Sequence, residues 1–180
     1  MHSKDNYYVS KLLPMMAEAQ VSAIANPLIN IVIQGRHDTY PKRRGMTRVP
    51  EMLKAGIRVG FGQDCVLDPW YPLGTADMLD VAFMGLHVAQ MTSPQDMHRV
   101  FEMVTKENAA IMGLEGYGLE PGCKASLVVL DAGNAVEAVR LRAERLCVVA
   151  KGKVVAERPR RDTSLSLPGR PASVHRRHII

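Results

Sequence analysis

The sequence predicts an α/β fold with a parallel sheet in residues 1–113 and a smaller β-rich unit in residues 114–157. In the first region, helical patterns alternate with short apolar runs of strand length, which is typical of parallel strands covered by helices. After Gly122 the helical pattern stops and β-type runs take over. Since 47% of the 180 residues are hydrophobic, the chain can bury a core.

The first half of the α/β region predicts two helices, one strand and a long loop. Residues 6–20 carry apolar side chains at helical spacing, and Pro14 is expected to kink that helix. A strand is predicted at 21–25, where an Asn-Pro pair ends it. Residues 34–45 are polar and rich in Pro and Arg, which indicates a loop of the kind that often carries function. Residues 49–55 predict a short helix closed by a glycine.

Residues 57–62 form the most informative predicted strand. Alternation gives it one apolar face, made of Ile57, Val59 and Phe61. Gly60 and Gly62 lie on the other face, which Asp64 continues just past the strand. We expect the apolar face to pack on helices and the glycine face to border an open space. The carboxyl end of such a strand is where a (β/α) barrel keeps its catalytic groups.

Two more helices and the small β unit complete the prediction. Residues 76–90 present one apolar face, and the next helix begins at Ser93, a capping residue followed by proline, and ends at Gly113. The β unit is predicted from apolar runs at 125–130 and 139–149 and from a hairpin turn at 151–153.

The net charge of +5 is concentrated at the carboxyl terminus. Residues 158–180 hold six arginines against one aspartate, and the remaining 17 basic and 17 acidic residues balance. This segment is rich in Pro, Ser and Arg and lacks a hydrophobic period, so it predicts a basic, disordered tail, with a nucleic-acid-binding arm as the lesser alternative. The folded part carries no charge excess that would favour nucleic acid.

Three features favour a cytoplasmic protein without a membrane partner. No apolar run is long enough to cross a bilayer, and the residues after Met1 are too polar for a secretory leader. The cysteines are odd in number and far apart, at Cys65, Cys123 and Cys147. Such thiols suit a reducing compartment.

Several segments carry a recognisable pattern. They read FGQDCVLDPWYPLG at 61–74, ANPLIN at 25–30, QGRHDTYPKRRG at 34–45, MGLHV at 84–88, and TKENAA through PGCKASLVVL at 105–130. Together they resemble the cytosine-deaminase branch of the amidohydrolase superfamily, over residues 1 to about 157. The resemblance implies the carboxyl-terminal portion, about the last two βα units, of a (β/α)8 TIM-type barrel, plus part of a small β-sandwich domain.

The resemblance also implies roles for two residues. Asp64 corresponds to the aspartate that binds the catalytic metal ion and transfers a proton; without the motif, an acid after a strand would equally suit a helix cap or a turn. Trp70 corresponds to a tryptophan that packs against the pyrimidine ring. The implied cofactor is one divalent ion, iron or zinc, whose remaining ligands are expected upstream of this chain.

Cys65 and Gln63 depart from the family pattern. The cytosine deaminases carry a second aspartate beside the substrate where Cys65 stands, and histidine is commoner at the position of Gln63. Cys65 is therefore predicted to contact the substrate. A thiol in place of a carboxylate changes hydrogen bonding and pocket shape, so the metal chemistry is expected to persist while the preference for cytosine is open.

The predicted function is metal-dependent hydrolytic deamination of an amino-substituted N-heterocycle, with cytosine, converted to uracil and ammonia, as the first candidate. Creatinine, isoguanine or another cyclic amidine is the alternative substrate, and an inactive truncated remnant is the alternative from another class. The family's His-x-His pair and catalytic Glu belong upstream of the segments that carry the resemblance. We therefore expect this chain to be incomplete and inactive alone. The expected partners are the small heterocycle and, in a full-length form, further copies of the enzyme.

Overall fold

The computed structural model describes residues 1–160 and 163–174. The chain divides into two compact units, Met1–Glu115 and Gly116–Ile180. Within the described residues, no helix combines the length and apolar character needed to cross a membrane.

The first unit is built from six helices around two short parallel strands. Its elements are α1 (Asn6–Glu18), β1 (Ala23–Ala25), α2 (Pro27–Ile33), α3 (Val49–Lys54), β2 (Val59–Phe61), α4 (Met78–Val88), α5 (Pro94–Met103) and α6 (Lys106–Ile111). The strands pair in parallel, with Ala23 opposite Val59 and Ala25 opposite Phe61. The predicted α/β class and parallel pairing are therefore confirmed. Both strands then end at the same edge, which places the residues after them side by side.

The two faces of β2 behave differently from each other. Phe61 is 1% exposed and packs on Gly85 of α4, where an added Cβ would overlap the ring. The expectation of an open space on the other face is wrong at Gly60. A Cβ there would overlap the amide oxygen of Asn108 on α6, and Asn108 Nδ2 donates to the Phe61 carbonyl at 2.7 Å. That glycine therefore admits a helix to the strand backbone.

Two helices differ from the prediction. The segment after β1 forms α2, which was not predicted because its β-branched residues favour strands; Pro27 at its first turn and two buried residues support the helix. The single helix predicted from Ser93 to Gly113 is two. The capping box of Ser93 is present, but Thr105 interrupts the helix and its hydroxyl donates to the Phe101 carbonyl at 2.8 Å.

The second unit contains a three-stranded antiparallel sheet. Its elements are β3 (Leu127–Leu130), α7 (Ala135–Leu141), β4 (Arg145–Ala150), β5 (Lys153–Glu157), β6 (Thr163–Ser164) and β7 (Ser173–Val174). The predicted hairpin turn is confirmed, because Lys151 and Gly152 both have positive φ and connect β4 to β5. The strand predicted from residue 139 is wrong in its first part. Residues 139–141 close α7, whose first turn is capped by the Asn134 side chain.

The basic segment from residue 158 is described in part. Arg158 pairs with Glu144 at 3.1 Å, and Arg160 pairs with Asp131 at 3.0 Å. Farther on, β6 and β7 form a two-residue antiparallel ladder. The prediction of a disordered tail also covers residues 161–162 and 175–180, which lie outside the described residues.

Candidate functional site

The carboxyl ends of β1 and β2 bring Asn26 and Asp64 together. Asn26 follows β1 directly, and Asp64 lies three residues past the end of β2. Asn26 Nδ2 donates to Asp64 Oδ2 across a distance of 3.1 Å. Alternation along residues 57–62 predicts Asp64 at this edge, and the parallel register brings Asn26 beside it.

The loop that carries Asp64 has an unusual backbone. Asp64, Leu67 and Ala76 have φ values of 64°, 52° and 58°, in the left-handed region that side chains other than glycine seldom adopt. Such conformations persist only where surrounding contacts fix them, and they often occur at functional sites. Here they turn the exposed Asp64 carboxylate toward Asn26.

Cys65 is held between two carboxylates. Its Sγ donates to Asp64 Oδ1 at 3.5 Å. A hydrogen bond to Asp68, followed by burial and by the contact with Asp64, raises the pKa of the Cys65 thiol to about 12. The side chain is therefore a neutral thiol at physiological pH, which makes it a hydrogen-bond donor rather than a nucleophile.

Asp68 organises the rest of the loop. Its Oδ1 accepts hydrogen bonds from the backbone N–H groups of Trp70 and Tyr71, each at 2.9 Å. Bonds from Cys65 and from these N–H groups hold the pKa of Asp68 below its usual value. The Trp70 side chain is 72% exposed, so a planar ligand can stack on its ring. Sequence reasoning missed Asp68, although an Asp-Pro pair in a turn could have indicated it.

Gln63 is the unexpected residue of this region. It is 8% exposed, and within the described residues neither its amide oxygen nor its amide nitrogen has a hydrogen-bond partner. Burying an unpaired amide is costly. The sequence pattern identified Gln63 only as a departure from the family. Its position continues the apolar face of Ile57, Val59 and Phe61, which was the signal that it would be buried.

The histidines among the described residues do not gather at Asp64. A histidine in an amphipathic helix is ordinarily buried and hydrogen-bonded; His87 Nδ1 does contact the Phe83 carbonyl at 2.7 Å, but its side chain is exposed. His37 lies exposed in the long loop. Burial, the chain amino terminus and Arg43 lower the pKa of His2, against Asp38, which raises it.

The residues present fit part of a metal site. Asp64 offers an exposed carboxylate at the end of a parallel strand, and a carboxylate oxygen is a suitable donor for a divalent ion. Among the described residues, no three His, Cys, Asp or Glu side chains form a cluster that could hold a metal. Asp64 thus fits as one ligand of a set that needs other donors.

A cavity of about 420 Å³ lies at the opposite ends of the two strands. Its polar lining is a charge network in which Arg58 and Arg99 both pair with Glu107, at 3.2 and 3.0 Å. This cavity is separate from the edge that carries Asp64.

Comparison with known proteins defines the class. A family model described as the amidohydrolase family matches residues 2–156, and the chain belongs to this family. The crystal structure of 5-methylcytosine deaminase from Klebsiella pneumoniae liganded with 5-fluorocytosine matches 94% of this chain and 41% of its own, with 41% identity and a TM-score of 0.87.

Two other matches are to proteins named for N-isopropylammelide. The structure of N-isopropylammelide isopropylaminohydrolase from Burkholderia multivorans has 29% identity and a TM-score of 0.73 over 87% of this chain and 37% of its own. The N-isopropylammelide isopropyl amidohydrolase of Pseudomonas sp. strain ADP is 34% identical over 61% of this chain and 27% of its own. The chain therefore spans between about a quarter and two-fifths of the length of these relatives.

Proposed function

We propose that this chain contributes the carboxyl-terminal part of the barrel and site of a metal-dependent deaminase of cytosine-type rings, with 5-methylcytosine as the leading substrate. The 41% identity to the Klebsiella enzyme supports the reaction class, and the name of that enzyme is the reason for placing 5-methylcytosine first. In this proposal Asp64 is a metal ligand and proton carrier, and Trp70 and Cys65 contact the substrate.

The presence of Cys65 between Asp64 and Asp68, at a position where cytosine deaminases carry an aspartate, is the observation that carries the substrate choice. The sequence pattern places an aspartate here in cytosine deaminases, and a charged carboxylate needs water or a donor beside it. The single proton of the Cys65 thiol is shared between the Asp64 and Asp68 carboxylates. A weakly polar thiol tolerates a ring methyl group at little desolvation cost, so it favours a 5-substituted ring over an unsubstituted one.

The reaction replaces a ring amino group by oxygen. Water adds to the ring carbon that carries the amine, and one of its protons goes to the neighbouring ring nitrogen. The bond from that carbon to the exocyclic nitrogen then breaks, the carbonyl forms, and ammonia leaves with the second proton from the water. Asp64 accepts this proton and passes it on. A bound divalent ion, for which Asp64 is one ligand, supplies Lewis-acid activation of the water. The exposed Trp70 ring stacks on the heterocycle and fixes its plane.

The test uses residues 1–180 completed by the part of the Klebsiella deaminase that this chain does not cover; we call this protein the assembled enzyme. Ammonia release is measured with 5-methylcytosine, cytosine, isoguanine and creatinine, and isopropylamine release is measured with N-isopropylammelide. We expect the largest kcat/KM for 5-methylcytosine. Turnover of only the last three substrates, or of none, would contradict the proposal.

The substrate role of Cys65 is tested by Cys65→Asp. This variant should lower the ratio of 5-methylcytosine to cytosine kcat/KM by roughly tenfold, which corresponds to about 1.4 kcal/mol. Cys123→Asp, in the second unit, is the matched control and should leave the ratio unchanged. An unchanged ratio in Cys65→Asp would show that this side chain does not face the ring.

A further inference from the structure

We propose that Asn26 is a positioning residue for the Asp64 carboxylate, and that position 62 is glycine because the Asn26 side chain occupies the space where a Cβ would lie. The inference rests on the proposed function, in which Asp64 is the reacting carboxylate.

The first observation is that Asn26 does not perform the structural task of its position. It is the N-cap residue of α2, yet its side chain makes no capping hydrogen bond, although Asn is among the residues that cap best. Four other cap side chains do bond the backbone of the helix that they begin, those of Asp5, Asp77, Ser93 and Asn134, whereas those of Arg48 and Thr105 do not. The Asn26 amide instead donates to Asp64 Oδ2.

The second observation is the shape of the strand beneath Asn26. The backbone N–H of Gly62 donates to the Ala25 carbonyl at 2.9 Å, which fixes the two strand ends beside each other. A Cβ on Gly62 would overlap Asn26 Oδ1. It would also approach the Ile24 Cγ2 methyl at 2.9 Å, but Ile24 is 47% exposed and can rotate away. Asn26 is thus confined between the backbone of β2 and the carboxylate.

The consequence is a carboxylate with both oxygens assigned. Asp64 Oδ2 accepts from Asn26 and Oδ1 accepts from Cys65. An exposed aspartate would otherwise sample several rotamers, and each unproductive one lowers the fraction of enzyme ready for proton transfer. Because both donors are neutral, they orient the carboxylate without cancelling the charge that a metal ion requires.

The test compares Asn26→Ala with Asn134→Ala in the assembled enzyme, since Asn134 is the matched asparagine that does cap its helix. Asn26→Ala should lower kcat about tenfold or more, leave KM within about twofold and release zinc faster to a chelator. Asn134→Ala should lower Tm and leave kcat unchanged. Unchanged kcat and zinc release in Asn26→Ala would overturn the inference.

Gly62→Ala supplies the second arm. Alone, it should lower both kcat and Tm, because the new methyl group displaces Asn26. In the Asn26→Ala background it should add little, since the displaced side chain is already gone. Equal losses of Tm in both backgrounds would overturn the inference. The Tm comparison needs no turnover. An assembled enzyme without activity would therefore contradict the proposed function, while the contact between Asn26 and Gly62 could still be tested.

Discussion

The two ends of the β1–β2 sheet use charge in opposite ways. At the amino end, Glu107 is shared by Arg58 and Arg99, and Glu102 pairs with Arg99 and with Lys106 at 2.6 Å. At the carboxyl end, Asp64 and Asp68 accept hydrogen bonds from neutral groups only, and within residues 1–160 and 163–174 neither carboxylate pairs with a cation. At the amino end each carboxylate is paired with cations, and at the carboxyl end the two carboxylates keep their negative charge.

This difference indicates which end of the sheet is suited to bind a metal ion. Carboxylates that are already paired with cations have little negative charge to offer a metal ion. The Asp64 carboxylate has no cation partner among the described residues and lies on a loop with left-handed residues, which is costly for stability and suits a divalent ion. Conservative changes at the two ends should therefore separate stability from activity.

Metal removal should produce the largest effect. Dialysis of the assembled enzyme against a strong chelator should abolish ammonia release, and added zinc or iron should restore it. The 180-residue chain by itself should retain less than stoichiometric metal after dialysis, because its described residues offer Asp64 without a cluster of other donors. Metal content is read by elemental analysis. If the isolated chain kept one tightly bound metal ion per molecule, Asp64 would not be the single ligand that this chain supplies.

Glu107→Ala should reduce stability at the amino end. The Glu107 side chain is 14% exposed, while Arg58 and Arg99 are 52% and 37% exposed, so water compensates part of the loss. We expect a decrease of about 1–2 kcal/mol in the free energy of unfolding of the assembled enzyme. Urea unfolding measures it, with kcat unchanged. A fall in kcat with unaltered stability would reverse the comparison between the two ends.

Asp68→Ala should loosen the loop at the carboxyl end. The variant loses the bonds to the Trp70 and Tyr71 N–H groups and to the Cys65 thiol, so the substrate KM should rise by roughly threefold to tenfold. Trp70 is the chain's one tryptophan, so in an assembled enzyme whose other tryptophans are replaced its fluorescence reports this loop directly. Asp77→Ala, which removes a cap on α4, is the control that should leave the emission unchanged.

The smallest expected effect concerns Asp38 and Arg43 in the long loop. The guanidinium of Arg43, through its hydrogen bond at 2.6 Å, lowers the pKa of Asp38 from 3.8 to about 2. Because the pKa of Asp38 is lower in the folded than in the unfolded state, the ion pair stabilises the fold at pH values above the unfolded-state pKa. This stabilisation is lost as the pH falls toward 2. The Tm of Arg43→Gln should therefore lie below that of the wild type at pH 6 and approach it near pH 2. Arg44→Gln is the neighbouring control, and an equal shift in both variants would contradict this reading.

The sequence predicted the elements that follow local rules. Alternation of apolar residues located β2, Ser93 located the start of α5, and the Lys-Gly pair located the hairpin of the second unit. Strand parity also placed Asp64 at the carboxyl edge. These features depend on periodicity and on caps, which a single sequence displays.

The rest depends on tertiary contacts that no local pattern records. Proline at the first turn and the burial of Ile29 favour α2 as a helix despite its β-branched residues, and Asn108 reaches β2 only because Gly60 leaves room. Asn26 stood in a quoted motif, but its bond to Asp64 joins residues 38 positions apart. Only the parallel register reveals that pair.

The central claim is that chemistry occurs at the carboxyl end of the sheet and depends on Asp64. The direct measurement is kcat for ammonia release from 5-methylcytosine in Asp64→Asn and Glu107→Gln, both of nearly unchanged size, in the assembled enzyme. The account predicts a loss of about 10²–10⁴ in Asp64→Asn, as expected for removal of a general base, and a kcat within about twofold of the wild type in Glu107→Gln. Comparable activity in both variants, or a larger loss in Glu107→Gln, would contradict it.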